Sequence, residues 1–438
     1  MQKLITFIEE KLAPPLIRVS QIRYLDAVQK AFMSFMPYLL ISSLFILIAA
    51  LPIPGWSDIV APIAGKLWGA VNATMGVISI GIAASLGYHL GDYYRAKDSR
   101  IDRLSTTLVA VISFLALFPL TVTDDGGVFM SATYFGSAGL FAAIIVSILS
   151  VEIYRLIVKA NITIKMPKEV PPMVSQAFTS VIPAAIVVTL WWVVSQIIGF
   201  DVPGFVMQVF STLVSAGTTA VSQFIAFMLD RVLWFVGIHG SNVVGSVLSP
   251  VWTQMISDNM AAFQAGDIVP YLFTEQWTNY FIRVSVVPLV LLMIFSKVRR
   301  YKTLGALSFA PAIFNIAEPV MFGLPIVLNP IMFIPWVFGY GFIWTLTYVF
   351  TAVFNLIPPI IALVPWTVPG PIAAYLGTGG SIIAALISCL NYVLMFFIWL
   401  PFFKVLERQE MKVEAEARAQ EELEEAAKVG EVHETSSV

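Results

Sequence analysis

Read as apolar and polar positions, the 438-residue chain is a series of long apolar runs separated by short polar stretches. The runs lie near 31–53, 67–90, 104–121, 135–154, 176–199, 205–229, 232–256, 279–296, 328–352 and 382–403. Each is close to or above the roughly 20 residues that a helix needs to cross about 30 Å of hydrocarbon. They are continuous and lack the two-residue alternation of a membrane β-barrel. The pattern predicts an all-α integral membrane protein with about ten transmembrane helices.

Two further segments are apolar but broken. Residues 303–327 carry Pro311, Pro319 and Pro325 around a single acid, Glu318. Residues 355–380 carry Pro358, Pro359, Pro365, Pro369 and Pro371 with four glycines. Proline removes a rung of the helical hydrogen-bond ladder and glycine weakens it, so neither segment suits one continuous helix. Irregular backbone at membrane depth is tolerated only where it is buried in protein or lines a wet cavity. Both segments read as re-entrant hairpins, the first from the cytoplasmic side and the second from outside. Such a pair points to a substrate site between them.

Composition agrees that the solvent is largely lipid: 58% of residues are hydrophobic and 12% charged, against about half and a quarter in soluble domains. The net charge of −2 is an average over two unlike parts. Residues 405–438 hold ten Glu and four Lys or Arg, a balance of −6, which leaves 21 basic and 17 acidic residues, or +4, before them. Five groups contain 22 of the 25 basic residues: Lys3 to Lys30, Arg95 to Arg103, Arg155 to Lys168, Lys297 to Lys302, and the tail from Lys404. Cytoplasmic loops hold the excess of Lys and Arg, and these groups fall on alternate connections of the ten-span reading. Both termini are therefore expected inside, flanking the membrane part as a cytoplasmic segment 1–30 and an acidic tail 405–438. Arg231 falls at an inner turn between the sixth and seventh runs. Lys66 and Arg283 are left on or near the outer side, and the Ser257–Thr278 connection reads as an acidic outside loop.

Several classes are disfavoured. Basic residues are not gathered as in a nucleic-acid binder. Cys389 is the only cysteine, and His89, His239 and His433 are scattered, so neither a disulfide framework, a metal site nor a cofactor is expected. The start, with Glu9, Glu10 and a Pro14-Pro15 pair well before the first apolar run near Ala31, does not read as a cleavable signal peptide. A phosphate-binding loop of the ATPase type is absent.

Glu318, in Asn315-Ile-Ala-Glu-Pro319, is the first candidate for chemistry. An acid at membrane depth is costly without partners or water, which makes it functional by default; the alternative is a structural acid at a broken helix. Pro319 favours an extended residue before it and a carboxylate at the break of the hairpin. His239 lies between Gly237 and Gly240 in Gly237-Ile-His-Gly-Ser-Asn242. It reads either as a core histidine bonded to a carbonyl or as an imidazole offered to a hydroxyl. Asn242, Asn315, Asn329 and Asn391 suit sugar hydroxyls, or helix-to-helix hydrogen bonds. Trp366 suits stacking on a sugar ring, or an interfacial belt. His89 reads as interfacial, Cys389 as inert packing, and Asp124-Asp125-Gly126-Gly127 as a short acidic turn.

The Pro14-Pro15 start, the Gly237–Asn242 and Asn315–Pro319 motifs and the Pro365-Trp-Thr-Val-Pro-Gly-Pro371 hairpin together resemble a known family over nearly the whole chain. It is the membrane C subunit of the lactose, cellobiose and diacetylchitobiose family of the phosphoenolpyruvate-dependent sugar phosphotransferase system. The resemblance implies a homodimeric bacterial cell-membrane permease with ten spans and two hairpins. Residues 31–200 would form a five-helix scaffold for dimerisation and 201–404 a mobile sugar-binding domain. A β-linked disaccharide would be carried inward by an elevator-like motion. Its 6-hydroxyl would then receive a phosphoryl group from a phosphocysteine on a separate B subunit, itself charged by an A subunit. Glu318 and His239 match the family's essential residues, and Trp366 a sugar-contacting aromatic. Cys389, inside the last run, cannot be that phosphocysteine, so the chain alone is expected to bind sugar without phosphorylating it. The alternative reading is an ion-coupled secondary transporter that releases unmodified sugar.

Overall fold

The structure is a computed structural model that describes residues 14, 18, 22–49, 55–167, 170–283 and 286–435. The expected segment 1–30 lies largely outside these, with Lys3, Lys11 and Pro15, as do Lys168 and residues 436–438 at the end of the tail. The first helices are α1 (Arg23–Ala49), α2 (Trp56–Thr74), α3 (Ile78–Arg95), α4 (Arg103–Leu115), α5 (Leu140–Lys159) and α6 (Pro172–Trp192). Next come α7 (Val202–Gly217), α8 (Ala220–Phe235), α9 (Gly240–Ala265), α10 (Glu275–Phe281) and α11 (Val287–Ile294). The chain continues as α12 (Arg299–Ile313), α13 (Glu318–Gly323), α14 (Pro330–Phe333), α15 (Tyr340–Tyr348), α16 (Gly370–Gly377) and α17 (Ile382–Thr435).

Among the described residues six stretches are long and apolar enough to cross a membrane: Arg23–Ala49, Asp58–Arg95, Ser137–Lys159, Val174–Ile197, Pro330–Val353 and Ile382–Glu416. They contain most of the first, second, fourth, fifth, ninth and tenth predicted runs. The remaining four runs fold otherwise. The third is only the short helix α4, held against α3 where Gly87 lets the backbones meet; a Cβ there would lie 2.8 Å from the Thr106 carbonyl oxygen. The sixth run is two helices, because the Thr219 hydroxyl accepts from the Ser222 N–H and starts α8 afresh. The eighth is split into α10 and α11, and its freed carbonyls are collected by the last helix: Asn391 donates to Phe281 O and Ser388 to Tyr280 O. The seventh begins late, at Gly240, and runs on to Ala265.

Three expectations change with these boundaries. The Ser257–Thr278 segment is not one loop: α9 continues to Gly266, whose left-handed φ of 76° ends it, and Asp258 lies within the helix, accepting from Ser137 Oγ at 2.6 Å. Arg231 is not at a turn but inside α8, where it is buried against Asp230. Cys389 is exposed on α17 and does not pack into the core. Among the described residues the departure from an all-helical class is a hairpin of Leu120–Val122 against Val128–Met130. Its turn is the acidic Asp124–Gly127 stretch, as expected, with Gly126 at φ 81°.

The acidic tail begins as a continuation of α17. Glu407, 3% exposed, accepts from Ser296 Oγ (2.7 Å), Lys297 N (2.8 Å) and Lys404 Nζ (2.6 Å), and so fastens the helix to the α11–α12 turn. Hydrogen bonds to a charged group contribute about 1.5–3 kcal/mol each, and removing the shared acceptor strands several donors at once. Glu407→Ala is expected to lower the stability of the purified protein by about 3 kcal/mol, read as a drop in unfolding temperature in detergent, with Glu407→Gln losing less.

Candidate functional site

Two broken segments and one helix junction build the site. At the junction, α8 ends at Phe235, Gly237 adopts φ 80°, and α9 starts at Gly240 with His239 as its cap. His239 Nδ1 accepts from the backbone N–H of Asn242 at 3.3 Å. An imidazole nitrogen that accepts carries no proton, so in the neutral ring Nε2 holds the N–H and presents it outward. The Trp234 ring backs the imidazole at a centroid distance of 4.4 Å.

The first broken segment folds as a helical hairpin. α12 runs up to Ile313, Asn315 turns the chain at φ 62°, and α13 starts with Glu318. Asparagine is among the few side chains that tolerate this left-handed conformation. Glu318 is the first helical residue and is not extended, because Pro319 is accommodated within the first turn, where its missing N–H has no rung to leave empty. Its position at the break is as expected. The returning strand of the hairpin is held to the junction by the Leu328 N–H, which donates to Phe235 O.

Residues 355–369 are mostly irregular, and their polar backbone groups are gathered by other elements. Asn259 Nδ2 donates to Ile360 O, Ser43 Oγ accepts from Leu363 N, and the Tyr280 hydroxyl bonds both Val364 N and Val364 O. The tip is claimed by the other hairpin: Asn315 Nδ2 donates to Trp366 O at 2.6 Å and Val368 O at 2.9 Å. One amide thus joins the two segments that the proline pattern singled out.

His239 and Glu318, 79 positions apart, come together with Nε2 and Oε1 separated by 4.0 Å, both about half exposed (43% and 48%). That gap exceeds a direct hydrogen bond. A hydroxyl oxygen placed about 2.8 Å from both would accept from Nε2–H and donate to the carboxylate, with an angle of about 90° at the oxygen. Asn242 contributes its backbone N–H to this arrangement and is itself exposed. Asn315 is structural in these contacts, and Trp366 is 51% exposed at the tip. Asn329 caps α14 by accepting from Ile331 N, and Asn391 bonds between elements. His89 is bonded to Ser34 beside Tyr88, away from these groups.

Sequence reading missed the charges behind the site. Asp230 and Arg231 form an ion pair at 2.6 Å with side chains 1% and 9% exposed. Arg283, expected on or near the outer side, lines a cavity of about 10 Å³, the space of one water, with Glu275, Gln223, Trp252 and Thr278. Its buried Nε has no hydrogen-bond partner among the described residues. For Arg283 the available signal was the intramembrane charge itself, since it falls within the eighth apolar run. Among the described residues no group of three His, Cys, Asp or Glu is placed to hold a metal ion.

The family model described as "Phosphotransferase system, EIIC" matches residues 29–340. The chain belongs to this family. Its EIIC relatives include the cellobiose-specific EIIC component of Geobacillus stearothermophilus, 31% identical, with the match covering 93% of this chain and 95% of that one. The lactose-specific EIICB component of Staphylococcus epidermidis is 33% identical over 94% of this chain and 72% of its own length. Among solved structures, the transporter ChbC, the IIC component of the N,N'-diacetylchitobiose-specific phosphotransferase system, superposes with a TM-score of 0.85. It is 34% identical and the match covers 93% of this chain and 99% of that one. The resemblance drawn from the histidine and glutamate motifs was to this EIIC family.

The Asn315 amide can be isolated from its backbone conformation. Asn315→Gly keeps the left-handed turn and removes both donors, and is expected to cost about 2 kcal/mol of stability. Asn315→Ala adds backbone strain and should cost more. Unfolding temperatures of the two variants check the order.

Proposed function

We propose that this EIIC protein is a sugar permease that binds a β-linked, cellobiose-like disaccharide outside and carries it across the bacterial cell membrane. It then presents the sugar's 6-hydroxyl to a separate B subunit. The observation that carries this reading is the His239–Glu318 gap, sized for one hydroxyl, at the meeting of the two hairpins. Asn242, Asn315 and Trp366 would complete the sugar site. The names of relatives, specific for cellobiose or lactose or carrying C and B parts in one chain, support the substrate class and the partner.

The chemistry follows from the groups. Phosphoryl transfer depends mainly on positioning and charge stabilisation. In the proposed step the 6-oxygen attacks the phosphorus of the B subunit's phosphocysteine, the S–P bond breaks, and the hydroxyl proton passes to Glu318. His239 Nε2–H holds the oxygen from the other side. Residues 31–200 would serve as the scaffold of a homodimer and 201–404 as the part that moves, elevator-like, with ten spans and both termini cytoplasmic. The broken third, sixth and eighth runs would complete that count with α9 packed among them.

Vesicles containing the full chain and phosphorylated B subunit test the reading against cellobiose, lactose and diacetylchitobiose. Sugar is expected inside as its 6-phosphate. Glu318→Gln and His239→Ala are each expected to lower transfer by at least about a hundredfold, the scale of a lost general base or positioning group. Uptake of unmodified sugar driven by a proton or sodium gradient without B would replace this reading with an ion-coupled one.

A further inference from the structure

We propose that Asp230 is a positioning residue for His239, acting through the Ser241 hydroxyl and the backbone of Gly240. The inference rests on the reading of His239 as the group that holds the sugar hydroxyl.

Asp230 sits in α8 one turn before Trp234, with its side chain 1% exposed. A carboxylate buried in this way is costly unless both oxygens are satisfied. Arg231 Nε and Nη2 both donate to one oxygen, Oδ2, at 3.0 and 2.6 Å. The partner of Oδ1 is Ser241 Oγ, at 2.8 Å, on the first turn of α9 two residues after His239. Between these two residues, Gly240 lies flat on the backbone of Asp230, where a Cβ would come within 2.2 Å of its carbonyl oxygen. One residue of α8 therefore holds the start of α9 by two contacts, at the two residues that follow His239.

The anchor is itself fixed. The Arg231 guanidinium lies 4.8 Å from the Trp336 ring centroid and 5.4 Å from those of Phe227 and Tyr340, and Trp336 Nε1 donates to Arg231 O at 2.9 Å. Cation–π contact holds the guanidinium beside Asp230, and the indole hydrogen bond holds the Arg231 backbone. Arginine restrains the carboxylate, the carboxylate restrains Ser241, and Trp234 on the same helix backs the imidazole. The direction of Nε2–H toward Glu318 depends on this chain. Displacement of a reacting group by about 1 Å can cost about a hundredfold in rate, whereas sugar affinity draws on many contacts.

Asp230→Asn would leave Arg231 buried without its counter-charge and risks misfolding, so Ser241 is the informative position. Ser241→Ala and Ser241→Thr are compared in vesicles of the full chain with phosphorylated B subunit, using the best bound of cellobiose, lactose and diacetylchitobiose. Ser241→Ala is expected to slow sugar-phosphate formation about tenfold or more while its Kd for sugar changes less than about threefold, and Ser241→Thr should restore most of the rate. A rate within about twofold of the parent, or a loss matched by Kd or by the folded fraction, overturns the proposal. His239→Ala and Glu318→Gln run alongside. If they fall and Ser241→Ala does not, positioning alone fails; if they also keep the parent rate, the reading of the site fails with it.

Discussion

Backbone polar groups at membrane depth have no water to bond, and the arrangement of the site depends on that constraint. Continuous helices satisfy it internally. The proline-rich segments cannot, so their amides and carbonyls must be claimed by side chains from elsewhere. Residues 360–368 show the result: Asn259, Ser43, Tyr280 and Asn315 each bond one or two of their backbone groups. The carbonyls freed where α10 breaks are met by Ser388 and Asn391 in the same way. Polar residues that looked like candidate ligands in an apolar sequence are thus largely occupied with irregular backbone. Asn315 is the clearest case, and by joining the hairpin tips it sets Glu318 at their meeting point.

This division explains what the sequence made legible. Broken segments announce themselves through proline and glycine because those residues fail in helices for local reasons. Glu318 and His239 stood out for the same kind of reason, an isolated acid and an imidazole between glycines. Helix boundaries were less legible where a hydroxyl cap, as at Thr219, interrupts a run whose hydropathy does not change. The pairing of residues far apart was not legible at all. Asp230 and Arg231 are adjacent opposite charges, which in a hydropathy profile resemble a polar turn. Only the aromatic surroundings from Phe227, Trp336 and Tyr340 and the Ser241 contact make them a buried structural pair. Arg283 shares its cavity with Glu275, which was placed in a loop that proved to be partly helix.

The polar contacts between the early helices and the later part differ in kind from those inside the later part. Ser43 meets Leu363 N, Ser137 meets Asp258, and Asn72 meets Gln264. Two of these three ties join uncharged groups, and the third joins a hydroxyl to a carboxylate. Within the later part, by contrast, the Asp230–Arg231 pair is an ion pair closed from solvent. Breaking a neutral hydrogen bond and remaking it elsewhere costs little net free energy, on the order of 1 kcal/mol, whereas separating a buried ion pair costs several. A transport movement of the proposed kind would therefore exchange the two uncharged ties at least cost and carry the ion pair intact. The histidine and glutamate would travel with a fixed 4.0 Å separation, so the same hydroxyl contact could persist from loading to phosphorylation.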